Sequence, residues 1–221
     1  MSSKLLSLSL YEIKRSLCYN MNWISAAIFL IINISLFPFT IDPRPELLHQ
    51  LFLSVVITSI LLGIVIMTNH IFEEDVSDGS LNQYIVFGIP MYQIFLAKLL
   101  AAVIEFSLVL SMVIPTASIF YYFTLSKSLK ILLVIILSTP LFASISIFGS
   151  MIAVNLRKNI AFSLLLIFPL LISSLIIISL AAEKIILTDN FEEGFLYIQI
   201  NIGMSLIIIP VICLISKYIY K

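Results

Sequence analysis

Apolar residues in this chain neither alternate with polar ones nor keep to a narrow stripe. They run on for about twenty positions at a time, the length an α-helix needs to cross a hydrocarbon core of roughly 30 Å. Six such runs stand at residues 21–40, 51–70, 97–123, 129–155, 160–182 and 195–216. Backbone groups in lipid must bond within their own segment, and the period-2 pattern of a barrel is missing, so the runs predict six membrane-spanning helices. Ahead of the first run, Leu6, Leu10, Ile13 and Leu17 recur at helical spacing with Lys14 and Arg15 elsewhere on the wheel. This predicts a helix lying in the membrane interface over residues 1–20, an elbow that leads into Trp23 as an interfacial anchor. The expected fold is all-α and polytopic, one transmembrane domain over residues 1–221.

The polar breaks between the runs set the expected orientation, because cytoplasmic loops retain Lys and Arg. With the amino terminus inside, the inner segments hold Lys4, Lys14, Arg15, Lys98, Arg157, Lys158, Lys217 and Lys221, and the outer ones only Arg44, Lys127, Lys130 and Lys184. Both termini are therefore expected in the cytoplasm. The break between the second and third runs, residues 71–90, then falls on the cytoplasmic side. It carries four of the twelve acids, Glu73, Glu74, Asp75 and Asp78. An anionic leaflet repels acids, so a protein partner explains them better than membrane adhesion. Glu73 to Val76 can extend the second span as a short helix. Asp78 and Gly79 supply turn chemistry, and Ser80 is a suitable N-cap for a second short helix bearing Leu81, Tyr84 and Ile85. Gly88 and Pro90 then return the chain to the bilayer.

Composition sharpens this picture. Charged residues make up 11% of the chain and apolar ones 61%, against roughly 25% charged in a soluble domain. At 221 residues there is room for the spans and short loops but not for a separate ATPase, so partner chains are expected. A net charge of zero argues against nucleic acid. Cys18 and Cys213 lie far apart, both on the expected inner side, and suggest neither a disulfide nor a metal site. The first twenty residues, with Lys4, Glu12, Lys14 and Arg15, lack the apolar core of a removable signal peptide, so the mature chain is expected to begin near Met1.

Asp78-Gly79-Ser80-Leu81, with Pro90 ten residues after Ser80 and Lys98 eight further on, resembles the segment between the second and third helices of type-2 ABC exporter membrane subunits. There that segment is the coupling helix seated on the ATPase. Combined with the run from Leu36-Phe37-Pro38-Phe39-Thr40-Ile41-Asp42-Pro43-Arg44-Pro45-Glu46-Leu47 to Leu48 and with Ala97-Lys98, it resembles the CcmB family, membrane subunits of the cytochrome c maturation ABC transporter. The resemblance implies a permease that is not itself an enzyme, in the bacterial inner membrane. Its implied partners are a CcmA-like ATPase, CcmC-like and CcmD-like membrane subunits and a CcmE-like haem chaperone. No G-x-x-x-x-G-K-[ST] cradle occurs in the chain, so ATP belongs to the partner ATPase. Haem is implied at the level of the complex, with no cofactor assigned to this chain. The implied work is to couple ATP hydrolysis to haem export or to release of the haem-loaded chaperone. A lipid or drug exporter of the same superfamily and a non-transporting assembly scaffold are the alternatives.

The residues expected to couple to the ATPase are Glu73, Glu74, Asp75, Asp78, Gly79, Ser80, Leu81 and Tyr84. Pro43, Arg44 and Pro45 form a stiff outer segment, either a docking edge or a tight re-entry turn. Glu105 is an intramembrane carboxylate, a functional candidate that faces the bundle interior, stays protonated or reaches back to the inner interface. His49 and His70 stand near the outer and inner ends of the second predicted span, 21 positions apart and roughly 30 Å along a helix, too far to share one iron. Pro115, Pro140, Pro169 and Pro210 fall inside the last four spans, where neighbours such as Ser111, Ser138 or Thr139 must re-satisfy the freed carbonyls.

Overall fold

A computed structural model of the chain describes residues 2–41, 44–155, 160–186 and 191–219. Among these the secondary structure is helical throughout, with α1 over Ser2–Arg15, a π-helical turn over Ser16–Asn20, α2 over Asn22–Thr40 and α3 over Pro45–Thr68. Two short helices follow, α4 (Ile71–Ser77) and α5 (Ser80–Val86), and then α6 (Met91–Phe120), α7 (Leu125–Asn155), α8 (Ile160–Ile186) and α9 (Phe191–Ile219). Six helices are long and apolar enough to cross a membrane. The chain is an integral membrane protein. The helices at α3 and α6 begin six residues before the expected spans, because the helical backbone runs on through polar turns that an apolar count omits. Pro45 starts α3 in the first turn, where a missing N–H costs no hydrogen bond.

The inner spans are α3, α6 and α7, with 67%, 61% and 67% of their apolar windows buried, against 17%, 33% and 22% in α2, α8 and α9. The peripheral helices leave Ile28, Ile31, Leu170, Ile176, Ile200 and Leu206 exposed, as an apolar solvent allows. α7 lies against α3, α6, α8 and α9, α2 packs on α3 and α6, and α1 runs along α6. Helices in lipid gain little from apolar burial alone, so close approach at small residues matters. A Cβ at Gly149 of α7 would sit 2.8 Å from Ile167 Cδ1 of α8.

Two prolines show how freed carbonyls are re-satisfied. Pro140 leaves Ile136 without its usual donor, and the Thr139 hydroxyl donates to that carbonyl at 2.8 Å. Pro38 of α2 likewise frees Ile34, whose carbonyl accepts the Tyr121 hydroxyl at 2.7 Å. Ser111 and Ser138 bond instead to Leu108 and Val134, carbonyls that no proline has freed.

The α1 helix has two faces. Of the apolar row, Leu6 and Leu10 are exposed and Ile13 and Leu17 half-buried, whereas Leu8, Ser9 and Glu12 are buried. The chain then turns sharply through Met21, held at φ +46°, and Trp23 Nε1 donates to the Leu17 carbonyl at 3.3 Å.

Candidate functional site

The break between α3 and α6 folds as a helical hairpin. Gly79 joins α4 to α5 at φ +74°, a left-handed conformation with no atom within 4 Å of where a Cβ would stand. Only the backbone then penalises a larger residue. Gly79→Val should destabilise the hairpin by roughly 1–2 kcal/mol, while Gly79→Asn, which tolerates this region, should melt close to the parent. Equal melting temperatures for the two variants would refute the assignment. Ser80, expected as an N-cap, is instead the first residue of α5, and its hydroxyl donates to the Asp75 carbonyl at 3.3 Å.

At the root of the hairpin the acidic step meets two cations from distant parts of the chain. Asp75, 1% exposed, receives Arg15 Nη1 at 2.7 Å on one oxygen and Lys98 Nζ at 2.7 Å on the other. Lys98 also reaches Glu12 Oε2 at 3.1 Å, and the Tyr84 hydroxyl donates to Glu12 Oε1 at 2.8 Å. Arg15 Nη2 extends to Asp78 at 3.2 Å. Thus α1, α4, α5 and α6 meet through one set of charges. Burying an ion is expensive unless it is paired and hydrogen-bonded on its remaining sites; here Glu12 has Lys98 and Tyr84, and Asp75 has a hydrogen-bonded ion pair with Arg15 on Oδ1 and an ion pair with Lys98, without a hydrogen bond, on Oδ2. Burial opposes the charged Arg15 guanidinium, but the charge and hydrogen bond of Asp75 outweigh it and raise its pKa above the ordinary value. Burial, then the charge of Glu12, hold the Tyr84 hydroxyl well above its usual range, so it donates rather than ionises.

This geometry corrects the expectation that all four acids face outward. Asp75 is turned inward, because it shares a helical face with Phe72, which is fully buried. Glu74 is half-buried and accepts Asn22 Nδ2 at 2.8 Å. Glu73 and Asp78 remain exposed, Glu73 beside His70 Nδ1 at 2.8 Å. The apolar residues of α5 are also divided between inside and outside. Leu81 is buried and Tyr84 is engaged with Glu12, whereas Ile85, Val86 and Phe87 are 48%, 84% and 76% exposed.

Glu105 faces the interior of the bundle. It is 3% exposed, and Ser16 Oγ donates to its Oε2 at 2.6 Å. Its Oε1 has no hydrogen-bond partner, and Glu105 lines a cavity of about 20 Å³ together with Glu12, Ser16, Asn22, Lys98 and Ala101 among others. Glu12, Arg15 and Ser16 went unnoticed as site residues. The available signal was Glu12 standing four residues after Leu8, which places it on the buried face of α1.

At the far end of the bundle, Arg44 and Pro45 are exposed at the start of α3, while Pro43 lies outside the described residues. Pro45, Glu46, His49, Gln50 and Tyr122 line an open recess, and the His49 ring stacks on Phe123 with centroids 4.5 Å apart. His70 adjoins the hairpin, beyond the other end of α3.

The family described as CcmB protein matches residues 3–214. Heme exporter protein B of Haemophilus influenzae is 30% identical over 155 residues, 70% of each chain. The protein of the same name from Pseudomonas aeruginosa is 30% identical over 150 residues, 68% of this chain and 67% of its own. That of Rhodobacter capsulatus is 28% identical over 148 residues, 67% of this chain and 68% of its own. With the match running from the elbow helix into α9, across every helix that builds the hairpin root, the chain belongs to the CcmB protein family.

Proposed function

We propose that the chain is the membrane subunit of an ABC transporter complex for cytochrome c maturation. A separate CcmA-like ATPase hydrolyses ATP and docks on the α4–α5 hairpin. Its motion drives haem export or release of a haem-loaded CcmE-like chaperone, with CcmC-like and CcmD-like subunits alongside. The observation that carries this reading is the set of ion pairs joining buried Glu12, Asp75 and Lys98 to the half-buried Arg15, which ties the hairpin to α1 and α6. A push on the hairpin then moves a span rather than a loose loop. The family membership and the names of the relatives support the haem part of the reading.

In this reading the chain lies in the bacterial inner membrane with both termini and the hairpin in the cytoplasm, as the Lys and Arg distribution argues. Exposed Glu73 and Asp78 steer the ATPase, and Ile85, Val86 and Phe87 hold it. Phe87→Asp alters only an exposed side chain, so abundance should hold while capture of the ATPase falls by about 30-fold or more, the mark of a hot spot. Neutralising Glu73 and Asp78 together should instead slow association and flatten its salt dependence. The test is binding of the purified ATPase to reconstituted protein, followed by cytochrome c maturation in cells. Parent-like capture and maturation in both variants would reduce the hairpin to a solvated connector.

A further inference from the structure

The buried end of the elbow gathers five ionisable side chains, Glu12, Arg15, Asp75, Lys98 and Glu105. Two are cations and three are acids, so with every group ionised the set carries 2 − 3 = −1. No other charged side chain among the described residues faces it from within the bundle. From α1 come Glu12 and Arg15, from α4 Asp75, and from α6 Lys98 and Glu105. From α5 comes Tyr84, whose hydroxyl donates to Glu12. The π turn, α2 and α3 contribute the neutral Ser16, Asn22 and Met67. Glu73 and Asp78 are exposed, and Glu74 is half-buried, so water answers much of their charge.

An uncompensated charge shut away from water is strongly unfavourable, and the excess acid can be located. Asp75 is ion-paired with both cations, its Oδ2 accepting no hydrogen bond but lying 2.7 Å from the Lys98 ammonium, and Glu12 has Lys98 and Tyr84. Glu105 has one neutral hydroxyl on Oε2 and no partner on Oε1, and it lines a cavity of about 20 Å³. That space admits a single water. A metal cation would need several oxygen ligands where one wall is already the Lys98 ammonium. A proton fits.

We propose that this cluster binds one exchangeable proton, carried by Glu105 on its unpartnered Oε1 and passed through a single water in the cavity that Glu105 lines. The proton comes from bulk water and returns to it, and no other bond changes. Its binding is linked to the hairpin. Withdrawing Asp75 would leave two acids to two cations, removing the excess that retains the proton, so a seated hairpin favours binding and a displaced one favours release.

The test is infrared spectroscopy of the purified full chain in lipid nanodiscs at neutral pH. The parent should show the C=O stretch of one protonated carboxyl, shifted in D2O, and Glu105→Gln should lose it. Glu12→Gln should lose it too although Glu105 is intact, because that set is balanced and glutamine can still accept from Tyr84. Glu105→Gln resembles the protonated form and should fold like the parent. It should also abolish a slope in which parent stability falls as pH rises, since a folded state holding the extra proton is favoured at lower pH. Absence of the band in the parent, its persistence in Glu105→Gln or its survival in Glu12→Gln would each overturn the proposal.

Discussion

Lys98→Met should lower the stability of the purified chain by about 3–5 kcal/mol, the range seen when one member of a buried ion pair is removed and its partners stay. Methionine fills much the same volume, so packing is largely kept and the loss is electrostatic. Lys98 Nζ lies 2.7 Å from Asp75 and 3.1 Å from Glu12, and 5.7 Å from the centre of the Phe72 ring. Without it Asp75 keeps Arg15, but Glu12 keeps only the Tyr84 hydroxyl. Two consequences separate this account from simple loss of packing. Adding Glu12→Gln to Lys98→Met should recover part of the deficit, because the acid left unpaired is neutralised. The deficit should also shrink from pH 8 to pH 5, since unpaired carboxylates in the folded variant take up protons and the folded state then binds more of them than the unfolded one. Thermal melting in detergent measures both. A double variant no more stable than Lys98→Met, with a deficit constant across pH, would show that the ammonium is not holding the cluster together.

Phe72→Ala should cost about 3–5 kcal/mol, as for a fully buried aromatic truncated in a core that cannot collapse around the space. Phe72 is 0% exposed in the first turn of α4, and its backbone N–H donates to Ser150 Oγ of α7 at 3.3 Å. It seats the hairpin against the bundle. Phe72→Leu should retain much of the stability, because an apolar side chain of intermediate volume leaves a smaller cavity. The Phe72→Ala hairpin still presents Ile85, Val86 and Phe87, so ATPase capture should survive while coupling of hydrolysis to maturation is lost. Melting of Phe72→Ala at the parent temperature would show that α4 is not seated by this ring.

The spans were legible because lipid sets a length that an apolar run must meet. The hairpin turn was legible because Gly79 sits where a left-handed residue is needed. The partners of the acidic step were not. Arg15 meets Asp75 across 60 positions, and Lys98 meets Glu12 across 86. Nothing local tells a charge which distant charge it will meet. What was available was the face. Asp75 stands three residues after Phe72, and Lys98 lies among Phe95, Ala97, Ala101 and Ala102, all buried. Helical spacing could have turned both inward, whereas counting charges by loop treated Asp75 as surface and Lys98 as a topology marker.

A proline in a span ordinarily grants freedom, because the carbonyl it releases can swing and the helix can pivot there. In α2 that freedom is withdrawn. The Ile34 acceptor left open by Pro38 is taken by Tyr121 at the end of α6, so bending at Pro38 would lengthen a bond rooted in another helix. The outermost stretch of α2, though most of its surface looks onto lipid, is thereby geared to α6, whose opposite end carries Lys98. Under the proposed function, a shift of the hairpin delivered at Lys98 should therefore carry α2 along with α6, through the bond that joins Tyr121 to Ile34.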